Sequence, residues 1–113
     1  MAAEPFNLDA RRMIATQTAP GGVINRETRF TFSQNGQTVE ARYAGGRVKL
    51  GQLVGRIDRD TFEFRYAQLH EDDTLHGGHS RCQLQREPNG KIRIVEHYEW
   101  ANGQTGTNVI EEA

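Results

Sequence analysis

What the chain has little of narrows its class first. Cys82 is the only cysteine, so no internal disulfide is available to staple the fold. No apolar run approaches the ~20 residues that a membrane-spanning helix needs. There is no basic block: fourteen Lys and Arg against fifteen Asp and Glu leave a formal charge of −1. The electrostatic footprint of a nucleic-acid binder is therefore missing. Apolar content is also low, at 35% with a mean hydropathy of −0.75. No secretory leader is recognised at the start of the chain. These absences lead us to expect a cytoplasmic protein with no nucleic-acid or membrane partner. At 113 residues the length fits one domain, able to bury a modest core.

What is present is alternation. In Lys91–Trp100 (KIRIVEHYEW), Ile92, Ile94, Glu96, Tyr98 and Trp100 share one parity, and Lys91, Arg93, Val95, His97 and Glu99 the other. A strand turns successive side chains to opposite faces, so this run has one apolar and one mostly charged face. Glu96 alone breaks the apolar set.

The same pattern recurs along the chain. Residues 1–10 read as a loose lead-in. Arg11–Thr18 is either the end of a helix or a first strand; Thr16, Thr18 and the following Pro20-Gly21-Gly22 turn favour the strand. Arg26–Gln34 alternates Thr28, Phe30 and Phe32 against Arg29, Thr31 and Ser33. Asn35-Gly36 follows, the dipeptide of a type I′ hairpin, whose central residues both need positive φ. Thr38–Tyr43 is the next strand, and Ala44-Gly45-Gly46 turns the chain into Arg47–Asp58. There Gly51 and Gly55 share a parity with Leu53 and Ile57, predicting bends or close approach of a neighbour. Arg59-Asp60 leads into Thr61–Leu69, with Phe62, Phe64, Tyr66 and Gln68 on one face. A polar loop over His70–Gly78 precedes His79–Arg86, Pro88-Asn89-Gly90 turns into the Lys91–Trp100 strand, and Thr105–Glu111 ends the series. Seven or eight strands in short succession make an antiparallel meander. Closure into an up-and-down barrel of the lipocalin or avidin kind removes its free edges and leaves an interior for side chains or one small ligand.

The stretch Gly45–Gly55, the Arg65-Tyr66 pair and the Glu96-x-Tyr98-x-Trp100 pattern resemble a family of short, uncharacterised bacterial proteins sometimes labelled "N-acetylglutamate synthase". The likeness extends through Glu27-Thr28, Asn35-Gly36, Tyr43, Gly90, Gly106 and Glu111-Glu112. That family usually has Trp where Tyr98 stands and often Cys where Ser80 stands. The resemblance implies a small β-protein without an established active site. An acetyl-CoA site would need a glycine-rich turn opening a helix, and the Arg42–Arg47 turn leads into another strand.

Three groups of residues could carry chemistry. Glu96, Tyr98 and Trp100, with Tyr43, Tyr66 and Gln68, converge on one interior if parity holds. A carboxyl in aromatic surroundings has a raised pKa and serves as an acid or base near neutrality. Tyrosine hydroxyls and an amide orient the polar part of a ligand while the rings hold its apolar part. The competing reading is a buried Glu96 paired with a base such as Arg56. His70, His76 and His79, with Glu71, Asp72 and Asp73, hold metal-ligand types at a spacing that matches no standard motif. No metal or cofactor is expected. Cys82 lacks a base of its own parity and reads as an inert core thiol.

The function expected is binding of a small, partly aromatic or polar molecule inside the barrel, by a monomer or a homodimer. The alternatives are a lyase, isomerase or cyclase using Glu96 with Tyr66, and a module whose interior is simply packed.

Overall fold

The computed structural model describes residues 5–18 and 23–113; the Pro20-Gly21-Gly22 turn lies outside the described residues. Eight antiparallel strands follow one another around a closed barrel. They are β1 (Arg12–Gln17), β2 (Arg29–Asn35), β3 (Thr38–Gly45), β4 (Val48–Asp58), β5 (Thr61–His70), β6 (Leu75–Arg86), β7 (Ile92–Trp100) and β8 (Thr105–Glu112). The first and last close the ring: β1 pairs with β8, with a shift of register between Ala15 and Gln17. Closure leaves no edge strand to bury, which removes the edge-based reason for a dimer. Among the described residues no helix is long and apolar enough to cross a membrane.

Alternation predicted the inward faces correctly. In β5, Phe62, Phe64, Tyr66, Gln68 and His70 are buried while Thr61, Glu63, Arg65 and Ala67 are exposed. In β7, Ile92, Ile94 and Glu96 are buried. Outward charges pair between neighbours, Arg56 with Glu63 across β4 and β5 at 2.7 Å and Lys49 of β4 with Asp73 of the β5–β6 turn.

The barrel has two unlike ends. At one end lie the turns Gly36-Gln37, Arg59-Asp60 and Glu87–Lys91. Residues 6–10, expected to be part of a loose lead-in, are held there. Leu8 is fully buried, and its N–H donates to Oε1 of Gln34 at 2.8 Å. Phe6 lies under the Arg86 guanidinium, 5.1 Å from ring centroid to Cζ. This end is plugged. The other end carries the Gly45–Arg47, Glu71–Thr74 and Ala101–Gln104 connections.

Two turns differ from expectation. Asn35 stays in β2, opposite Thr38, so the hairpin turns on Gly36-Gln37. Of these two only Gly36 has positive φ, at 61°, which is where a type II′ turn, not a I′ turn, places its glycine. The polar loop expected over His70–Gly78 is only Glu71–Thr74. His76, Gly77 and Gly78 are strand residues, opposite Gln68, Ala67 and Tyr66.

Candidate functional site

The open end of the barrel is built from three tyrosines, each facing a glycine on the following strand. Tyr43 pairs with Gly51, Tyr66 with Gly78 and Tyr98 with Gly106. A Cβ at Gly51 would overlap the Tyr43 ring, and one at Gly78 would sit 2.7 Å from the Tyr66 hydroxyl. Each ring therefore leans over the space its partner leaves, lying along the barrel wall. Trp100 closes the ring of aromatics, edge-on to Tyr66 at 5.4 Å and to Tyr98 at 5.8 Å.

Below them lies Glu96, 3% exposed. Its two oxygens are held from the strands on either side: Ser80 of β6 donates its hydroxyl to Oε2 at 2.6 Å, and Asn108 of β8 donates Nδ2–H to Oε1 at 3.1 Å. Arg56, the base named as a counter-ion in the competing reading, points outward from β4 and bonds Glu63 instead. Burial raises the Glu96 pKa above the usual carboxyl range, against the smaller lowering effects of Ser80, Asn108 and His97. A buried carboxyl with no cation beside it gains by staying protonated. Burial, then the nearby Glu96, also pushes up the hydroxyls of Tyr43, Tyr66 and Tyr98, so all three are neutral phenols.

The Tyr66 residue is 9% exposed, and its hydroxyl oxygen is buried without a hydrogen-bond partner among the described residues. Leaving such a group unpaired costs about 1–3 kcal/mol. Tyr66, Glu96, Tyr43, Tyr98, Trp100 and Phe30 face a common cavity, covered by Val23 and Ile24 from the β1–β2 connection. The centre of a water-sized sphere can range over only ≈ 20 Å³ of it, whereas all the empty space out to the mouth, open solvent included, is ≈ 410 Å³. The closed chamber thus has room for about one water. Anything larger displaces the side chains at the mouth.

Gln68 was placed in the same set and sits beside the cavity instead of lining it. It accepts from the Tyr43 hydroxyl at 2.8 Å and lies 2.8 Å from His70 Nε2 through its own Nε2. An amide N–H can only donate, so His70 Nε2 accepts. The His70 ring stacks on His76 at 4.2 Å. His79 is on the outer surface, opposite Arg65 and Glu99, so the three histidines do not converge. No group of three His, Cys, Asp or Glu side chains able to hold a metal occurs among the described residues. Cys82 is buried beside Glu96, and burial raises its pKa well above that of a free thiol.

A family model described as avidin-like protein matches residues 6–113, nearly the whole chain. The chain belongs to the avidin-like family. The match agrees with a closed eight-stranded barrel and says nothing of the acetylglutamate synthase label attached to the resemblance above. The Gly45-Gly46 turn of this avidin-like chain joins β3 directly to β4, with no helix to hold a pyrophosphate. Comparison with the curated proteins and with the solved structures finds no match.

Sequence reasoning missed Ser80 and Asn108 as partners of Glu96. Hairpin symmetry held the signal: counting equal steps from Asn102 pairs Glu96 with Asn108, and counting from Asn89 pairs it with Cys82, one inward position from Ser80.

Proposed function

We propose that this avidin-like barrel binds a small organic molecule at its open end, with the polar part held between Glu96 and Tyr66 and the apolar part against Tyr98, Trp100 and Val23. The observation that carries this reading is the unpartnered Tyr66 hydroxyl. It faces the same cavity as a carboxyl that was desolvated at a cost, and a ligand able to bond both would recover part of that cost. Support also comes from the gradient of polarity: polar side chains sit at the floor and aromatic ones at the mouth. The ligand has to open the mouth as it enters, since the chamber otherwise takes about one water.

The test uses Trp100, the chain's only tryptophan, as the reporter. A fragment library screened by its emission, with native mass spectrometry of the freshly purified protein, should find compounds that Tyr66→Phe binds about 5–10-fold more weakly. Losing the hydroxyl should at the same time leave the fold as stable or slightly more so, because an unpaired group has been removed. A library that leaves Trp100 emission unchanged throughout, with nothing retained on purification, would refute the reading in favour of a packed interior. Glu96-dependent turnover of a bound compound would move it to an enzyme.

A further inference from the structure

The chemistry left unused around Glu96 favours one kind of ligand. The Ser80 hydroxyl and one N–H of the Asn108 amide are spent on the carboxyl, one on each oxygen. What remains to a ligand is chiefly acceptor capacity: a further lone pair on each Glu96 oxygen, and the phenol of Tyr66, which has no partner among the described residues and can accept as well as donate. Among the described residues no Lys, Arg or His lines the cavity, and none of the ion pairs involves Glu96. The walls are the rings of Tyr43, Tyr66, Tyr98, Trp100 and Phe30. Aromatic faces carry negative potential and attract cations, most strongly where water is excluded. The chamber's room for about one water also matches an ammonium head in size.

We infer that this pocket takes the ammonium group of a small organic amine, with Glu96 as its counter-ion, Tyr66 as a second acceptor, and the amine's carbon chain running out past Trp100 and Val23. The inference rests on the ligand-binding reading above and adds the charge of the ligand. A cation supplies what the site lacks, the positive partner of a buried carboxylate, which is otherwise costly to ionise. An anion would meet the same carboxyl with only neutral donors, the Tyr66 phenol and the second Asn108 N–H, to hold it. A neutral alcohol would satisfy Tyr66 and gain no charge attraction from the carboxyl, which would stay protonated.

The linkage to pH follows. The titratable side chains facing Glu96 are Cys82 on β6, Tyr43 on β3, Tyr66 on β5 and Tyr98 on its own strand, while His97 lies on the outward face of β7. None of those facing Glu96 is basic; His70, inward on β5, bonds the Gln68 amide beside the cavity and does not line it. Free Glu96 is held protonated over a range above the usual carboxyl pKa, so binding an ammonium there expels a proton. Amine affinity should rise with pH, by up to about tenfold per unit, until free Glu96 is itself ionised.

Butylamine, 1-butanol and butyrate, titrated into the full chain between pH 5 and 8.5, separate the cases by Trp100 emission and calorimetry. Butylamine should bind at least about tenfold tighter than butanol at pH 8 and weaken on acidification, releasing a proton detectable as a buffer-dependent heat. Butanol affinity should be flat with pH. Glu96→Gln should abolish the preference for the amine while keeping butanol binding within about threefold. Butanol or butyrate binding as tightly as the amine, or an amine affinity independent of pH, would overturn the charge assignment and leave the pocket reading standing. No binding by any of the three overturns it too, and a silent fragment screen alongside takes the pocket reading with it. The pH series on the unaltered protein decides the matter even if Glu96→Gln does not fold.

Discussion

The buried carboxyl makes a claim about stability that can be measured without any ligand. The Glu96 pKa in the folded protein lies above the usual value for a glutamate, chiefly because of burial. Between those two values the folded chain holds one proton more than the unfolded chain. Stability contributed by the neutral carboxyl is therefore complete below the usual pKa and is lost as pH rises through the window. The full slope for one proton is about 1.4 kcal/mol per pH unit. Glu96→Gln copies the shape of the protonated acid. Its carbonyl can still accept from Asn108, and its amide can donate to the Ser80 oxygen once that hydroxyl turns. The glutamine has no proton to lose, so its contribution is flat. The two proteins should be about equally stable near pH 4.5, and the variant should pull ahead as pH rises, each kcal/mol of difference adding about 3–5 °C to the midpoint for a domain of this length. His70 acts in the opposite sense: burial lowers its pKa, so its contribution grows as pH rises toward the usual histidine range. That slope is common to both proteins and cancels in the difference. Urea unfolding at four pH values from 4.5 to 7.5 reads the effect directly. Parallel stability profiles, or a wild type that gains on the variant as pH rises, would refute the reasoning.

Four further outcomes are expected. Leu8→Ala should cost about 2–4 kcal/mol in urea unfolding, since the side chain is fully buried in the plugged end. Gly55→Ala should cost about 2 kcal/mol or more in the same assay, because the new Cβ would strike the Glu63 carbonyl and break into the β4–β5 ladder. Gly106→Ala should cost less than about 1 kcal/mol, because it meets only the far end of Tyr98, which is half-buried at the mouth and can swing out. Cys82 should react with a thiol reagent only as fast as the barrel opens, with denaturant accelerating the reaction, because its thiol is buried and shielded from ionising.

The fold was largely legible because a barrel with one wet face writes its orientation into parity. Ile92, Ile94 and Glu96 against Arg93 and His97 is such a record, and Phe62, Phe64 and Tyr66 against Glu63 and Arg65 is another. Turns were less legible. Gly77 and Gly78 looked like loop residues because glycine is common in loops, whereas Gly78 is a strand residue that makes room for the Tyr66 hydroxyl and the Glu99 carbonyl. Asn35-Gly36 carried a genuine hairpin signal displaced by one residue. Within the site, the convergence of Tyr43, Tyr66, Tyr98 and Trp100 on one cavity could be read from parity alone. The partners of Glu96 could not, because Ser80 and Asn108 come from two other strands and meet it only through register.

The glycines explain why this end of the barrel is hollow. In the plugged half most facing pairs carry side chains on both members, as Ile57 with Phe62 and Leu84 with Ile94, with Gly55 opposite Phe64 the exception, and the lumen fills. Toward the open end, three successive hairpins put a tyrosine opposite a glycine. Each pair contributes one ring where two side chains would otherwise stand, and that ring lies along the wall over its neighbour's backbone. Volume is removed from the centre three times toward the open end, and the polar trio of Ser80, Glu96 and Asn108 sits at the floor of the space left. A barrel selected only for packing has no use for that combination, because an apolar residue at each of the three floor positions would remove both the desolvated carboxyl and the need to satisfy it. Space, aromatic walls and an uncompensated acid occur together at one end, and the orphaned Tyr66 hydroxyl faces into it.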